Sequence, residues 1–132
     1  METGVDELLR YVSPVMMTKP RFVKDDMAFH GLDLKRAELM VGFLIAANYD
    51  ASVFSNPDQL DLSRKPNPHT SLGDGIHFCL GAQLAKVEAR ILITRLLDRY
   101  PKIRLAVEPD KMAWNKGPFL RSMSSLSVIT NG

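Results

Sequence analysis

The sequence predicts an α+β domain with two main helices, small antiparallel sheets and one long irregular segment. Apolar residues recur at helical spacing over residues 5–12 and 80–100. Short apolar runs separated by turn residues occupy residues 21–29 and 103–129, as expected for strands. Between them, residues 49–78 carry three prolines and show no sustained period. A loop of this length in a compact domain is usually functional or disordered.

The composition is that of an ordinary globular domain. The chain has 132 residues, of which 45% are hydrophobic and 24% charged, and its formal net charge is +2. This balance argues against nucleic-acid binding, which usually shows as a concentrated basic face. The single cysteine excludes an internal disulfide, and the first residues do not resemble a signal peptide, so we expect a cytoplasmic protein. The longest apolar run, residues 39–47, is too short to cross a bilayer, so no membrane partner is expected.

The first element is a short helix. Thr3, followed three residues later by Asp6, resembles a helix-starting cap, and Pro14 is expected to end the helix. Glu7 and Arg10 lie three residues apart on one face, close enough to pair. From spacing alone, the simplest interpretation is an exposed ion pair worth well under about 1 kcal/mol.

Short strands follow the helix. Residues 21–23 and 27–29 are predicted to form strands joined by a turn, giving a small antiparallel sheet. Residues 39–43 suit a further strand and residues 44–48 a helical turn, although so short an apolar run does not settle this by period. Turns are expected at three places: residues 24–26, 30–31 and 35–37.

The second half contains the clearest element, an amphipathic helix that continues from Leu80 to Tyr100 and is stopped by Pro101. Beyond it, short apolar runs alternate with turn residues. These runs are predicted to form the strands of a second small sheet: residues 103–107, 119–120 and 126–129.

The most informative stretch, residues 67–81, reads N-P-H-T-S-L-G-D-G-I-H-F-C-L-G. It contains three glycines, two of the three histidines and the only cysteine. Cys79 stands at the end of this glycine-rich loop, just before the predicted helix. The N–H groups and dipole of a helix N-terminus favour negative charge, so we expect a stabilised thiolate that can ligate a metal.

Other interpretations of this stretch fit less well. Phe78 stands where a dinucleotide-binding loop needs its third glycine, and no Gly-Lys-Ser/Thr follows, so nucleotide binding is not expected. A zinc site from His69, His77 and Cys79 lacks a fourth ligand. Nucleophilic catalysis by Cys79 with His77 as base lacks a group that orients the base. Zinc binding and thiol catalysis remain as alternatives.

The run from Leu72 to Gly81, L-G-D-G-I-H-F-C-L-G, resembles the heme-binding loop of the cytochrome P-450 superfamily. The family pattern is Phe-Gly-x-Gly-x-His/Arg-x-Cys-x-Gly, and every fixed position except the leading aromatic, here Leu72, matches. The resemblance is to bacterial-type heme-thiolate monooxygenases and extends over nearly the whole chain. It implies that residues 1–132 form one domain, the C-terminal heme-binding portion, without the family's N-terminal helical bundle.

Other motifs follow in the same order. E-L-L-R at residues 7–10 resembles the E-x-x-R of the family's K helix, and A-A-N-Y-D at residues 46–50 resembles its A-A-N-R-D segment. The ending F-L-R-S-M-S-S-L-S-V resembles a closing hairpin of bacterial members. The implied fold is therefore a short K-type helix, small antiparallel sheets, a long meander with the cysteine-ligand loop, and one long amphipathic helix.

The resemblance implies a heme b cofactor (iron protoporphyrin IX) with Cys79 as its axial iron ligand, a thiolate that favours O–O cleavage. Arg21 and His77 match positions that pair with heme propionates, and His69 matches one that supports the same region, unless it is a loop histidine bonded to backbone. The implied cofactor-binding residues are Arg21, His69, Gly73, Gly75, His77, Phe78 and Gly81.

The resemblance also implies a buried network of Glu7, Arg10 and Arg64, while no catalytic residue is identified. Val15, Met16, Met17 and Phe119 match substrate-lining positions, although ordinary core packing is the favoured explanation for each residue alone. The implied partners are an apolar small-molecule substrate and an electron donor such as a ferredoxin. Lys65, Lys86 and Arg90 are candidates to meet an acidic donor, although a solvated helix face explains them equally well. The alternative is a truncated module that binds heme without turnover, or self-associates through exposed apolar surface.

Overall fold

The structure is a computed structural model that describes residues 2–130. Within these residues the helices are α1 (Glu2–Val12), α2 (Leu44–Asn48) and α3 (Ala82–Arg99). The strands of the same residues are short: β1 (Arg21–Phe22), β2 (Met27–Phe29), β3 (Leu32–Leu34), β4 (Leu39–Met40), β5 (Arg104–Leu105) and β6 (Val128–Ile129). Two single 3-10 turns, Gly75–His77 and Pro109–Lys111, complete the described elements. The α+β class is the predicted one.

Helix α1 confirms the first predicted helix but not its cap. It already begins at Glu2, so Thr3 lies inside the first turn and the predicted Thr3–Asp6 cap is wrong. At the other end Ser13 adopts a left-handed φ of 45° and Pro14 follows, which ends the helix where predicted.

The predicted pairing of residues 21–23 with 27–29 is wrong. β2 pairs instead with β3, and β1 pairs antiparallel with β4. The reason is the turn at His30 and Gly31, whose φ values of 47° and 81° are both positive. Such a two-residue turn matches the twist of adjacent strands, so it closes β2 onto β3 and leaves β1 for the later strand.

The second small sheet contains two of the three runs predicted for it. β5 pairs antiparallel with β6, with Arg104 opposite Ile129. Residues 119–120 lie elsewhere, because Leu120 forms a bridge with Val15 from the first half of the chain. The assignment of residues 119–120 to this sheet is therefore wrong, because their backbone groups pair with Val15 and Met16, which are distant in sequence.

Helix α3 confirms the long predicted helix, with a start two residues later than expected. Leu80 precedes it and is fully exposed, and Pro101 follows it. Helix α1 packs against both α2 and α3. Most of the apolar side chains of α3 nevertheless remain exposed: Leu84, Val87, Ile91, Leu92, Leu96 and Leu97.

The centre of the described chain is unusually polar. Its buried apolar side chains are Val5, Val23, Phe54 and Ala82. Its buried polar residues are Glu7, Arg10, Ser13, Asn48, Arg64 and Ser71. Hydrogen bonding must compensate the burial of these polar groups. Among residues 2–130, no helix has both the length and the apolar character that a bilayer span requires.

Candidate functional site

Glu7 and Arg10 form a fully buried ion pair in α1, with side-chain exposures of 0%. Arg10 Nε donates to Glu7 Oε2 and Arg10 Nη2 to Glu7 Oε1, each at 2.8 Å. Two parallel hydrogen bonds of this kind are the strong, geometrically specific form of the pair. The interpretation of an exposed pair is therefore wrong, because the folded chain covers this face of the helix.

The Glu7 carboxylate accepts hydrogen bonds from several elements. Besides Arg10, its donors are Arg64 Nε at 3.0 Å, the backbone N–H of Asp61 at 3.0 Å and Asn67 Nδ2 at 3.1 Å. Burial by itself would raise the pKa of Glu7, but these hydrogen bonds and the guanidinium charge outweigh burial and lower the pKa to about 2. Glu7 is thus held as a buried anion. The predicted contact of Glu7, Arg10 and Arg64 is present.

The two arginines also order the long irregular segment. Arg10 Nη1 donates to the carbonyls of Asn48 and Pro57, both at 2.8 Å. Arg64 Nη1 donates to the carbonyl of Ser55 at 2.8 Å. The Phe54 ring lies beneath both guanidinium groups, with centroid distances of 5.3 and 6.0 Å. Buried charges thus satisfy several carbonyls of residues 55–59, within the long irregular segment.

Asn48 is a central residue that the sequence analysis did not assign to the site. Its Nδ2 donates to Ser13 Oγ at 2.9 Å and to Ser71 Oγ at 2.7 Å. Its Oδ1 accepts from the backbone N–H of Thr70 at 2.8 Å. The side chain thus links the end of α1 to the segment that leads into the cysteine loop. The one available signal was its place in the A-A-N-Y-D motif.

The cysteine loop is a compact turn held by its own backbone. The N–H of Cys79 donates to the Leu72 carbonyl at 2.8 Å, which closes the loop. Gly73 and Gly75 have φ values of 77° and 57°, in the left-handed region that favours glycine. Between these hydrogen-bonded ends, Gly75–His77 forms a 3-10 turn. The thiol of Cys79 is exposed.

The surface around this thiol is apolar. Ile76 is 97% exposed, Leu80 is fully exposed and Phe78 is half exposed. A Cβ added at Gly81 would lie 3.9 Å from Cys79 Sγ, an ordinary contact distance, so Gly81 is a close neighbour of the sulfur. A single displayed sulfur among apolar side chains fits the flat, largely apolar face of a heme. The residues present therefore fit the group that the motif implies.

Arg21 and His77, the predicted propionate partners, both carry exposed side chains. His69 is placed differently. Its ring is only 6% exposed, and Nε2 lies 3.4 Å from Asp6 Oδ1. Burial lowers the pKa of His69, although Asp6 opposes this change. Its Nδ1 has no hydrogen-bond partner within residues 2–130, so the alternative of a histidine bonded to backbone is wrong.

The zinc alternative is not supported. Within residues 2–130, no three side chains of His, Cys, Asp or Glu type are grouped as metal ligands. His69 is buried against α1, whereas Cys79 is exposed. Without a cluster of three such ligands, the Cys79 sulfur suits a metal whose other ligands come from a macrocycle.

The predicted substrate-lining residues come together from two distant segments. The N–H of Met16 donates to the Phe119 carbonyl at 2.9 Å, and Val15 forms a bridge with Leu120. Met17 forms a bridge with Phe43. Val15 and Phe119 keep more than a third of their surface exposed. These residues thus form one partly exposed apolar region.

The replacement Gly73→Ala is expected to lower the free energy of unfolding by about 1–3 kcal/mol. A Cβ at this position would lie 2.9 Å from the His77 carbonyl oxygen, and the φ of 77° adds strain. Urea denaturation measures the change. Gly117→Ala is the matched control, because its added Cβ would meet nothing nearer than 4.0 Å. Equal effects of the two replacements would contradict this account of the loop.

Comparison with known proteins gives a consistent result. The family model described as Cytochrome P450 matches residues 1–124. The polyketide biosynthesis cytochrome P450 PksS of Bacillus subtilis is 47% identical over 126 residues, which cover 96% of this chain and 31% of the relative. The solved structure of PksS superimposes with a TM-score of 0.95 at 45% identity, covering 99% of this chain and 34% of that one.

Two further solved structures carry bound molecules. CYP109E1 from Bacillus megaterium, in complex with testosterone, matches with a TM-score of 0.90 at 38% identity, covering 100% of this chain and 36% of that one. P450BioI, in complex with an acyl carrier protein ligated to hexadec-9Z-enoic acid, matches with a TM-score of 0.85 at 40% identity, covering 98% and 34%. The chain spans about a third of the length of these relatives.

The family match extends over nearly the whole chain, and it includes both the buried Glu7–Arg10 pair and the loop that displays Cys79. Members of this family bind heme b. The chain therefore belongs to the cytochrome P450 family.

Proposed function

We propose that this chain forms the heme-ligating part of a heme-thiolate monooxygenase, with Cys79 as the axial iron ligand. The observation that carries the proposal is the exposed thiol of Cys79, displayed by a glycine-containing turn among apolar side chains. Arg21 and His77 are the candidates to bind the heme carboxylates, since cationic or donor side chains suit such groups. Gly73, Gly75 and Gly81 allow the backbone to approach the macrocycle.

Heme, when bound, supplies the chemistry by which such enzymes activate oxygen and insert one atom into a substrate. The contribution of this chain is to present the sulfur to the iron and to keep its surroundings apolar. The buried network around Glu7 supports this indirectly, because it orders the segment that leads into the loop. The single-domain assignment of residues 1–132 is part of the same proposal.

We infer an apolar organic substrate, contacted by Val15, Met16, Met17 and Phe119. The complexes of CYP109E1 with testosterone and of P450BioI with a fatty acyl carrier protein support this class. The flexible methionine side chain suits adaptable contact with an apolar substrate.

An acidic electron-donor protein is the proposed redox partner. Lys86 is a weaker contact for this partner than the sequence suggested, because its ammonium group already pairs with Asp6 at 2.7 Å.

The exposed apolar side chains favour a second candidate function for the chain by itself. Phe22, Leu80, Leu92 and Leu120 are each more than half exposed. Extensive exposed apolar surface commonly marks association sites. Under this hypothesis the chain is a module that binds heme without turnover, or that associates with a second copy of itself.

Titration with hemin tests the proposed function. We expect the chain to take up one hemin per molecule and, after reduction under carbon monoxide, to give the long-wavelength Soret band of thiolate ligation. Absence of stoichiometric uptake would refute the proposal. Light scattering of the same sample distinguishes the second candidate, since a strictly monomeric chain would count against association.

A further inference from the structure

A second cluster of charged side chains connects α1 to both sides of the cysteine loop. Asp6 Oδ1 accepts a hydrogen bond from Lys86 Nζ at 2.7 Å and lies 3.4 Å from His69 Nε2. His69 precedes Cys79 by ten residues in the sequence, and Lys86 follows it by seven. One carboxylate oxygen therefore contacts side chains before and after the sulfur-bearing residue.

The entrance of the loop is fixed on α1 at neighbouring points. Asn67 Nδ2 donates to Glu7 Oε2 at 3.1 Å, and Ser71 Oγ donates to the Leu9 carbonyl at 2.7 Å. The backbone then reaches Leu72, whose carbonyl accepts from the N–H of Cys79. The exit of the loop leads directly into α3, where Lys86 lies in the second turn. Asp6 thus ties the exit to the same helix as the entrance.

We propose that Asp6 is a positioning residue for the Cys79 loop, acting through His69 at the loop entrance and Lys86 at its exit. This rests on the proposed function only in taking Cys79 as the ligand. Fixing both ends of a loop restricts the conformations open to it. The ring of His69 is buried and its Nδ1 has no partner within the described residues, so Asp6, 3.4 Å from Nε2, is the hydrogen-bond acceptor that the ring has there when Nε2 carries the proton. Removing Asp6 leaves that donor unsatisfied.

Hydrogen exchange of the 132-residue chain, followed by mass spectrometry, tests this role. In Asp6→Ala we expect the hydrogen-bonded amides of residues 72–81 to exchange about fivefold faster or more. Amides of the β2–β3 hairpin, residues 27–34, should keep their wild-type rates. Asp6→Asn retains an acceptor oxygen and should restore much of the protection. Lys35→Met is the matched control, because it removes an exposed lysine–aspartate pair at 3.0 Å that lies away from the loop.

A merely structural role would accelerate exchange in both peptides alike, and that result would overturn the proposal. Unchanged exchange in residues 72–81 would overturn it as well. Should Asp6→Ala fail to fold, Lys86→Met serves instead, because it removes only the partly exposed contact at the loop exit. This variant should accelerate amide exchange in residues 72–81 and not in residues 27–34. Hemin titration of the same samples separates the two proposals. A wild-type chain without hemin uptake refutes the proposed function, while the exchange rates still decide the role of Asp6.

Discussion

Replacing Arg10 with methionine is expected to lower the free energy of unfolding by about 3–5 kcal/mol. The guanidinium group is fully buried and satisfies both oxygens of the equally buried Glu7 carboxylate. It also donates to three carbonyls, those of Asn48, Pro57 and Gln59. Methionine fills much of the space of the arginine side chain, but it carries no charge to compensate the buried Glu7 carboxylate. A loss of this size is a large part of the stability of a typical domain.

Urea denaturation followed by circular dichroism measures this effect. Lys35→Met is the matched control, since it breaks an exposed pair with Asp26 and should cost no more than about 1 kcal/mol. Arg10→Lys keeps the charge but loses the forked geometry, so an intermediate loss is expected. If the free energy of unfolding of Arg10→Met lies within about 1 kcal/mol of the wild-type value, the buried pair does not stabilise the fold as expected.

Cys79→Ser is expected to abolish the long-wavelength carbon monoxide band of the hemin-loaded chain. Cys79 is the only cysteine, so no other residue can supply a thiolate. A serine hydroxyl has nearly the same shape but keeps its proton at neutral pH, so it cannot replace the anionic sulfur. Because the side chain is exposed, the change should leave the fold intact. The measurement is the spectrum of the reduced, carbon monoxide-treated sample.

Cys79→His is the matched variant for this experiment. An imidazole can also bind heme iron, so we expect this variant to retain hemin with a band at shorter wavelength. Retention of the long-wavelength band in Cys79→Ser would show that another group binds the iron. Circular dichroism of both variants checks that lost binding does not come from unfolding.

Local sequence signals predicted the helices well. Pro14 and Pro101 follow α1 and α3 because proline cannot continue a helix, and the apolar spacing between these limits has the helical period. The cysteine loop is equally local. Its glycines allow the left-handed backbone at residues 73 and 75, and its closing hydrogen bond joins residues only seven apart. Composition, motif order and the family resemblance were all available from the sequence alone.

Partners distant in sequence were decided only by the tertiary structure. Short strands of similar composition can pair in several ways, so the β1–β4 pairing and the contact of Val15 with Leu120 had no local signal. The spacing of Glu7 and Arg10 is compatible with an exposed pair. The pair is buried because residues 57–67 pack over it and bond to its side chains. Asp6 illustrates the same limit: its sequence neighbours suggested a helix cap, whereas its partners Lys86 and His69 come from 80 and 63 residues away. The sequence by itself therefore determined the two main helices and the glycine-rich cysteine loop, while long-range packing decided the strand pairing and the partners of the buried charges.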